Sequence, residues 1–379
     1  GIGMLPIVNF GTPEQVERYL GPCMEGETLS AFALTEPGSG SDAMNIKTRA
    51  VLDEGGGHYV LDGAKQWITN AGWADLFVLF AKVDGEHFTA FLVEADSPGL
   101  SVAEPEHLLG HDGSMVNAVT LEGVRVPVGN VLGEVGRGHK VAFCTLNMGR
   151  LKIAAGGATG AKAALRVAAR YAAERIQFGR PIADFGMIKG KLADIAARAY
   201  ATDAISYRTA GLVYDALESL KARGGATAEE RLGAMAEFSA ECALIKVYGS
   251  EAYNDCVDEA LQVFGGYGFS EEYPPAKMYR DARISRIYEG TSEINRLYAQ
   301  RKILKELAAA GEGVLEKLSR GGGAEPTDHV ARMTGLYWRL VEDTLSVVGS
   351  EGLGDPDRQQ FLASLADIAM EIYAAESTA

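Results

Sequence analysis

The sequence predicts an α+β protein in which a central antiparallel β domain is followed by an α-helical bundle and by extra C-terminal helices. Between residues 29 and 135, short runs of β-branched and aromatic residues are separated by glycine turns, which is typical of a compact sandwich or small barrel. From residue 136 to residue 311, apolar residues recur at helical spacing in long alanine- and leucine-rich segments. Two further amphipathic segments follow a glycine-rich stretch.

Composition narrows the possible functions. The chain has 379 residues, 47% of them hydrophobic, which is enough for two or three domains. Its formal net charge of −15 and the lack of a lysine- and arginine-rich run argue against nucleic acid as a partner. No apolar run reaches the ~20 residues needed to span a bilayer, so membrane association is not indicated. The cysteines lack the spacing of a structural zinc site or a disulfide framework, so no metal is expected: Cys23, Cys144, Cys242 and Cys256.

The first 28 residues contain one short amphipathic helix, Thr12 to Leu20. Thr12 is its predicted N-cap, and Pro13 is the first helical residue. The sequence begins at Gly1 rather than at a methionine, and an apolar pattern is already under way at Met4. We therefore expect the sequence to be a fragment, with any targeting signal upstream of it.

The β domain contains a glycine-rich loop, Glu36 to Asp42, that resembles a dinucleotide-binding fingerprint. Such a fingerprint requires a helix directly after the loop, whereas residues 45–69 continue as strands, so a Rossmann interpretation fails. A loop whose backbone N–H groups can face an anion remains possible. The predicted strands include Tyr59–Gly63, Leu76–Phe80, Thr89–Val93 and Ala118–Leu121.

Four long segments predict the helix bundle: Ala161–Glu174, Phe185–Leu220, Ala234–Phe264 and Ser292–Ala310. The turn Gly265–Gly268 is compatible with a helix C-cap or with a place where the backbone approaches a ligand, and both alternatives remain open. Residues 312–327 have the composition of a linker. Residues 328–379 are expected to form a helical extension that serves packing or oligomerisation.

A carboxylate between an aromatic residue and a glycine precedes the last bundle helix, in residues 286–294 (RIYEGTSEI). Gly290 lets the backbone at Glu289 come close to a ligand, and Thr291 and Ser292 are typical helix-opening residues. Taken alone, Glu289 and Glu293 are most simply solvated acids near a helix N-terminus. The alternative is that Glu289 is a catalytic base.

Three motifs in this order resemble the acyl-CoA dehydrogenase family: the loop Glu36–Ser41, the segment Trp67–Thr69 and the Tyr-Glu-Gly-Thr motif at Glu289. The extra C-terminal helices resemble those of the very-long-chain branch and its bacterial relatives. The resemblance implies an acyl-CoA dehydrogenase-like fold, with residues 1–28 as the end of an N-terminal helical domain. It also implies a homodimer or homotetramer, located in the cytoplasm of a bacterium or the mitochondrial matrix of a eukaryote.

The resemblance further implies that FAD is the cofactor and that both domains contact it. Trp67 is implied to pack on the flavin ring and Thr69 to reach flavin N5, although taken alone Trp67 could be a core residue. Arg175 is implied to hold the FAD pyrophosphate and adenosine across the dimer, because its planar fork suits phosphate oxygens. The helix N-terminus at Thr291 is an anion site on physical grounds and by resemblance. The implied FAD contacts are Phe32, Leu34, Thr35, Gly40, Ser41, Trp67, Ile68, Thr69, Arg175, Phe178, Gln262, Val263, Phe264, Gly265, Gly266, Thr291, Ser292 and Glu293.

By the same resemblance, Glu289 removes a proton from Cα of an acyl-CoA while a hydride leaves Cβ for flavin N5, as in fatty acid β-oxidation. The thioester oxygen is implied to be polarised by the Glu289 N–H and a ribityl hydroxyl of FAD, a contact worth ~3–4 kcal/mol per donor. Exclusion of water by the substrate and by Tyr288 is expected to raise the pKa of the Glu289 carboxyl. The implied acyl-CoA contacts are Ser41, Asn147, Arg150, Tyr288 and Gly290.

The resemblance implies a dehydrogenase that passes electrons to an electron-transferring flavoprotein, and there are three alternatives to it. An acyl-CoA oxidase catalyses the same half-reaction but uses oxygen, and no residue separates the two. A flavin enzyme acting on nitroalkanes tends to have an aspartate base, which Glu289 argues against. A flavin-less scaffold would not require Trp67, Arg175, Thr291 and Glu289 together. The sequence does not determine the acyl chain length.

Overall fold

The computed structural model describes residues 1–225, 227–310, 329–349 and 351–378. These residues form two compact units. The first unit comprises Gly1–Gly149 and a short segment ending at Leu232, and the second comprises Arg150–Gly225 and the described residues from Gly233 onward. The predicted linker at residues 312–327 lies outside the described residues. No described helix is both long and apolar enough to cross a membrane.

The first unit opens with short helical pieces. They are α1 (Leu5–Phe10), α2 (Pro13–Gln15), a π-helical turn (Val16–Leu20) and α3 (Gly21–Glu25). The predicted N-cap is present: Oγ1 of Thr12 accepts a hydrogen bond from the Gln15 N–H at 3.3 Å, while Oε1 of Gln15 accepts one from the Thr12 N–H at 3.1 Å. This reciprocal capping box satisfies two N–H groups that have no partner within the helix.

The core of the first unit is one eight-stranded sheet in the order β6-β7-β3-β2-β4-β5-β8, with β1 beside β4. Most neighbouring strands are antiparallel, as predicted, whereas β1 and β2 both run parallel to β4. Nearly every residue of β4 is buried, which fits its continuous apolar sequence. The strands are β1 (Ser30–Ala33), β2 (Arg49–Leu52), β3 (His58–Thr69), β4 (Leu76–Val83), β5 (His87–Glu94), β6 (Leu100–Pro105), β7 (Val116–Pro127) and β8 (Val131–Leu132).

The remaining helices build the second unit, apart from the start of α4 and part of α6. A small hairpin, β9 (Ile176–Gln177) with β10 (Arg180–Pro181), lies between α4 and α5. The helices are α4 (Gly138–Glu174), α5 (Gly186–Ala222), α6 (Ala228–Glu237), α7 (Ser239–Phe264), α8 (Pro274–Arg283), α9 (Ser292–Ala310), α10 (His329–Val348) and α11 (Gln359–Thr378). The predicted single helix Ala234–Phe264 is therefore two helices, because the backbone of Phe238 leaves the helical region.

The helix α4 begins much earlier than the predicted start at Ala161, because glycines inside it serve packing rather than a break. A Cβ atom on Gly157 would lie 2.6 Å from the carbonyl oxygen of Gly249 on α7, and one on Gly160 would lie 2.3 Å from the ring of Tyr253. Glycine at these positions lets α4 and α7 approach closely. The two helices on which the site below depends are thereby held against each other.

The C-terminal helices α10 and α11 pack on the bundle. Buried apolar residues of both helices join those of α7 and α9 in one hydrophobic cluster. The guanidinium of Arg296 on α9 contacts Glu251 on α7 at 2.7 and 2.8 Å and Asp367 on α11 at 2.6 Å. The extension is thus part of the second unit, in keeping with the predicted packing role.

Candidate active site

Glu289 lies on a strained turn immediately before α9. The backbone φ angles of Glu289 and Gly290 are 55° and 86°, so two consecutive residues are in the left-handed region. For a residue with a side chain this conformation costs roughly 1 kcal/mol or more and persists only where surrounding contacts hold it. A glycine is needed at position 290 for a second reason, since a Cβ atom there would lie 3.0 Å from Nδ2 of Asn295.

Three side chains of the second unit donate hydrogen bonds to the carbonyl groups of this turn. Nζ of Lys246 lies 2.6 Å from the carbonyl oxygen of Gly290, and Nδ2 of Asn295 lies 2.7 Å from the same atom. Nε of Arg150 lies 3.4 Å from the carbonyl oxygen of Glu289. Lys246 and Asn295 are fully buried, and Arg150 is only 6% exposed. Donors on α4, α7 and α9 therefore hold the turn.

The carboxyl of Glu289 is poised between its neutral and charged forms. Its Oε2 atom is buried and has no hydrogen-bond partner among the described residues, although the residue as a whole is partly exposed. Burial raises the pKa of Glu289 to about 7, against the opposing effect of positive charges on Arg150, Lys246 and Lys152. A carboxyl with a pKa near neutrality is matched to the work of a general base.

The pKa values of the two buried cations near Glu289 are lowered, whereas that of Glu289 is raised. Burial, with the charge of Arg150, lowers the pKa of Lys246 to about 8. Burial also lowers the pKa of Arg150. Its guanidinium carbon lies 5.0 Å from the ring centroid of Tyr298 on α9, a distance that permits a cation–π contact. Desolvation thus weakens the charged form of each member of this cluster.

The helix α9 begins at Ser292, as predicted, with Thr291 as its N-cap. Oγ1 of Thr291 accepts a hydrogen bond from the Ile294 N–H at 3.3 Å. Ser292 is buried, whereas Glu293 is exposed in the first turn, where a negative charge suits the helix dipole. One N–H group of the predicted anion site is therefore already capped by the protein.

Several of the predicted cofactor residues of the bundle line one cavity of about 710 Å³ in the second unit. The guanidinium carbon of Arg175 lies 5.4 Å from the ring centroid of Tyr267, and the rings of Tyr171 and Phe264 stack at 4.0 Å. Gly265 and Gly266 have open space where a side chain would be. The lining includes Tyr171, Arg175, Val263, Phe264, Gly265, Gly266, Tyr267 and Tyr273.

The turn at Gly265 has features of both predicted alternatives, a helix C-cap and a place where the backbone can approach a ligand. Its N–H group bonds to the carbonyl oxygen of Gln262, so the turn caps α7, and Gly265 also lines the cavity. Five of the predicted bundle residues are not among the cavity lining: Thr291, Ser292 and Glu293 at the start of α9, together with Gln262 and Phe178. Gln262 is exposed on the last turn of α7, and Phe178 projects from the hairpin with 94% of its surface exposed.

In the first unit, the two predicted flavin segments are adjacent. The N–H group of Gln66 on β3 donates to the carbonyl oxygen of Thr35 at 2.9 Å, which joins the residues after β1 to the strand that carries Trp67. Of the other predicted residues, Phe32 is half-buried, Leu34 and Ile68 are buried, and Gly40, Ser41 and Thr69 are exposed. The loop at Glu36 is followed by a short 3-10 turn and then by β2, so no helix of a Rossmann motif is present.

Trp67 is a surface residue rather than a core residue. Its φ angle is 55°, and the register between β3 and β7 shifts between Lys65 and Ile68. This β-bulge leaves Trp67 58% exposed, while Ile68 is only 2% exposed. Bulges commonly re-aim a side chain next to a binding site. The indole is thereby presented to solvent and available to a planar ligand.

A buried ion pair supports the glycine-rich loop. Nζ of Lys65 lies 2.7 Å from Oε1 of Glu36 and 3.3 Å from the carbonyl oxygen of Leu34. The backbone N–H groups of Lys47 and Thr48 donate to the same carboxylate at 2.5 and 3.0 Å. Glu36 is thus anchored by β3 and by the residues just before β2, at the point where the loop begins.

The predicted substrate residues occupy different environments. In the first unit, Asn147 on α4 is buried and Ser41 in the glycine-rich loop is exposed. In the second unit Tyr288 is 41% exposed and Arg150 is bonded to the backbone of Glu289. The resemblance gave no indication of this last contact.

Sequence reasoning missed Lys246, Asn295, Lys65 and the cavity tyrosine Tyr267. Lys246 is fully buried within an apolar helical segment, where a lysine is exceptional, and that position was the one signal that could have singled it out. Asn295 follows the Glu289 motif but reads as an ordinary helix residue. Lys65 could have been identified in a similar way, because it is a lysine at an inward-facing position of a strand.

Comparison with known proteins agrees with these motifs. Residues 31–124 match the model of the acyl-CoA dehydrogenase middle domain, and residues 136–304 match that of the acyl-CoA dehydrogenase C-terminal domain. A probable acyl-CoA dehydrogenase of Bacillus subtilis is 42% identical over 100% of this chain. The human mitochondrial very long-chain specific acyl-CoA dehydrogenase is 39% identical over 98% of this chain. The crystal structure of an acyl-CoA dehydrogenase complexed with FAD from Bacillus anthracis superposes with a TM-score of 0.93, with 42% identity over 100% of this chain.

These relatives are longer than this chain. The chain spans 66% of the Bacillus subtilis protein, 60% of the human protein and 66% of the Bacillus anthracis chain.

Proposed function

We propose, from the premise that this chain belongs to the acyl-CoA dehydrogenase family, that it is the FAD-dependent part of an enzyme that dehydrogenates a fatty acyl-CoA to the trans-2-enoyl-CoA. The observation that carries the proposal is the carboxyl of Glu289, buried on a strained turn with a pKa of about 7. Nothing in the packing of the bundle requires an acid there, and its Oε2 atom satisfies no other group among the described residues.

The residues present fit FAD. In the second unit, the cavity beside Arg175 offers a guanidinium for phosphate oxygens and aromatic rings for an adenine. Open space at Gly265 and Gly266 would let a ligand approach the backbone. In the first unit, the exposed indole of Trp67 offers a flat apolar face. When bound, FAD would supply the two-electron acceptor for the hydride that leaves Cβ.

Removal of the proton from Cα is the step that a residue of this chain would perform. Glu289 would remove it from Cα of the thioester, and its pKa of about 7 leaves a useful fraction of carboxylate at neutral pH. An unactivated Cα–H is far too weak an acid for this base unless the thioester oxygen is polarised. The Glu289 N–H forms no hydrogen bond to any described residue, so it can donate to that oxygen.

The turn geometry supports the approach of the thioester. Gly290 adopts its φ of 86° without the strain that a side chain would add, so the turn can present the backbone of Glu289 while Asn295 packs close to Gly290. Tyr288 on the other side is partly exposed, and a bound acyl chain would cover it together with the carboxyl. Removal of water by the substrate would raise the pKa of Glu289 further and strengthen it as a base.

The test is anaerobic mixing of the FAD-loaded protein with a series of acyl-CoAs of increasing chain length. Bleaching of the visible flavin absorption, with formation of enoyl-CoA identified by mass, is the expected result, and the length that bleaches fastest defines the substrate. Turnover in air with stoichiometric hydrogen peroxide would make the enzyme an oxidase instead of a dehydrogenase that uses an electron-transferring flavoprotein. A colourless preparation that takes up no FAD would contradict the proposal.

A further inference from the structure

Lys246 on α7 is a buried charge that the proposed reaction does not use. It is fully buried, and among the described residues it forms no ion pair with a carboxylate within 4.0 Å. Its ammonium group instead donates to the carbonyl oxygen of Gly290 at 2.6 Å. Burying an ammonium group without a counter-ion is costly, and an apolar side chain of similar length would fill the same space at lower cost. Packing alone therefore does not explain a lysine here.

Hydrogen-bond satisfaction does not explain the lysine either. The carbonyl group of Gly290 already accepts a hydrogen bond from Nδ2 of Asn295 at 2.7 Å. A carbonyl oxygen with one good donor is satisfied, although it has room for a second. What Lys246 adds to Asn295 is a positive charge next to the residue that follows the proposed base.

We infer that Lys246 is a positioning residue for Glu289: its ammonium group anchors the Gly290 carbonyl, fixes the left-handed turn that presents the carboxyl, and favours the charged form of that carboxyl. The inference deepens the proposed function and rests on it, because it assigns a role relative to the proposed base. Lys246 itself is not placed in contact with substrate or cofactor.

The sign of the electrostatic effect follows from the surrounding charges. A positive charge beside a carboxyl stabilises the carboxylate and opposes the rise in pKa that burial causes. The charged groups that face Glu289 are Arg150 and Lys152 from α4 and Lys246 from α7. Those that face Lys246 are Arg150, Glu289, Glu251 and Glu293. Removal of the lysine charge should therefore raise the pKa of Glu289 and delay its ionisation to higher pH.

The test uses the FAD-loaded protein and the variants Lys246→Met and Lys246→Gln. Glutamate labelled with ¹³C at the carboxyl allows the Glu289 signal to be identified as the one missing in Glu289→Gln, and its chemical shift is then followed against pH. We expect the titration midpoint to rise by about one pH unit in both variants, the typical effect of losing a nearby opposite charge. The acid limb of flavin reduction by acyl-CoA should move by the same amount and in the same direction.

Three variants separate this role from a structural one. Lys246→Arg keeps the charge and should keep the Glu289 midpoint near that of the wild type. Asn295→Ala removes a donor to the same carbonyl without removing a charge, so it should slow flavin reduction while leaving the midpoint in place. Lys191→Met removes a half-buried lysine of the same bundle that pairs with Glu259, and it should change neither measurement.

The inference is overturned if the Glu289 midpoint is unchanged in folded Lys246→Met, or in Lys246→Gln should the methionine variant not fold. It is also overturned if Lys191→Met shifts the midpoint as far as Lys246→Met does. Failure of the proposed function would look different: flavin bleaching that survives Glu289→Gln places the base elsewhere, while the titration of Glu289 still reports whether Lys246 controls its charge.

Discussion

The ammonium group of Lys65 lies 2.7 Å from the Glu36 carboxylate, and both side chains are buried beneath the glycine-rich loop of the first unit. Desolvation of two charges offsets much of their attraction, so such a pair contributes little net stability but is costly to break on one side only. Burial lowers the pKa of Lys65 to about 8, and Glu36 resists that shift. The pair therefore links the start of the loop to β3, and removal of either charge leaves the other one buried without its counter-ion.

Lys65→Met should lower the stability of the protein by about 3–5 kcal/mol, because it leaves the Glu36 carboxylate buried without its counter-ion. The double variant Glu36→Leu/Lys65→Met should recover most of this loss, since neither charge remains. Urea denaturation followed by circular dichroism would measure both effects. Equal destabilisation by the single and double variants would mean that the two side chains do not act as a pair.

Glu289→Gln should bind FAD and acyl-CoA normally but reduce the flavin at least about 10²–10⁴-fold more slowly, the usual contribution of a general base. The measurement is stopped-flow bleaching at saturating acyl-CoA. Glu306→Gln, which alters an exposed acid on α9, the helix that follows Glu289, is the matched control and should leave the rate unchanged. A Glu289→Gln enzyme that retains most of its rate would show that another group removes the proton.

The same carboxyl should make stability depend on pH in a definite direction. The folded-state pKa of Glu289 is raised from 4.5 to about 7, so the folded protein keeps a proton that the unfolded chain loses between these values. Stability from this group is fully present below pH 4.5 and declines until about pH 7, by at most roughly 3 kcal/mol. Because glutamine does not titrate, the melting temperature of Glu289→Gln relative to the wild type should rise between pH 5.5 and pH 8. A difference that stays constant with pH would contradict the raised pKa.

The sequence predicted those elements and site residues whose position depends on neighbouring residues in the chain, and it missed those that depend on distant ones. The bounds of α9 followed from its capping residues and apolar period, and the central parts of β3, β4, β5 and β7 followed from runs of β-branched and aromatic residues between glycine turns. The start of α4 was missed because Gly157 looks like a helix breaker until α7 is seen to pass 2.6 Å from where its side chain would be. Lys246 was missed because its partner Gly290 is 44 residues away, and only the folded bundle brings the two together.

Gly290→Ala should impair the turn through both backbone strain and contact with Asn295. Alanine at φ 86° is strained, and its Cβ atom would lie 3.0 Å from Nδ2 of Asn295. We expect a stability loss of about 1–2 kcal/mol and a fall in flavin reduction of about 10²-fold, since a displacement of about 1 Å at a reacting group has that effect. Gly26→Ala is the control, because Gly26 has φ 79° with nothing within 4 Å and ends α3. If both variants lose stability and activity to the same extent, the contact with Asn295 is irrelevant.

Trp67→Ala should weaken FAD binding without unfolding the first unit. The indole is 58% exposed because the β-bulge turns it outward, so its removal takes little from the core. Loss of an aromatic stacking contact is worth about 0.5–1.5 kcal/mol beyond the area it buries, which corresponds to a rise in the FAD dissociation constant of about 2–12-fold or more.

Trp73→Ala is a matched control, since Trp73 is 50% exposed a few residues further along and is not assigned to the flavin. Titration of the apoprotein with FAD, followed by quenching of flavin fluorescence, measures both. A larger loss of affinity in Trp73→Ala than in Trp67→Ala would mean that the bulge does not present Trp67 to the cofactor.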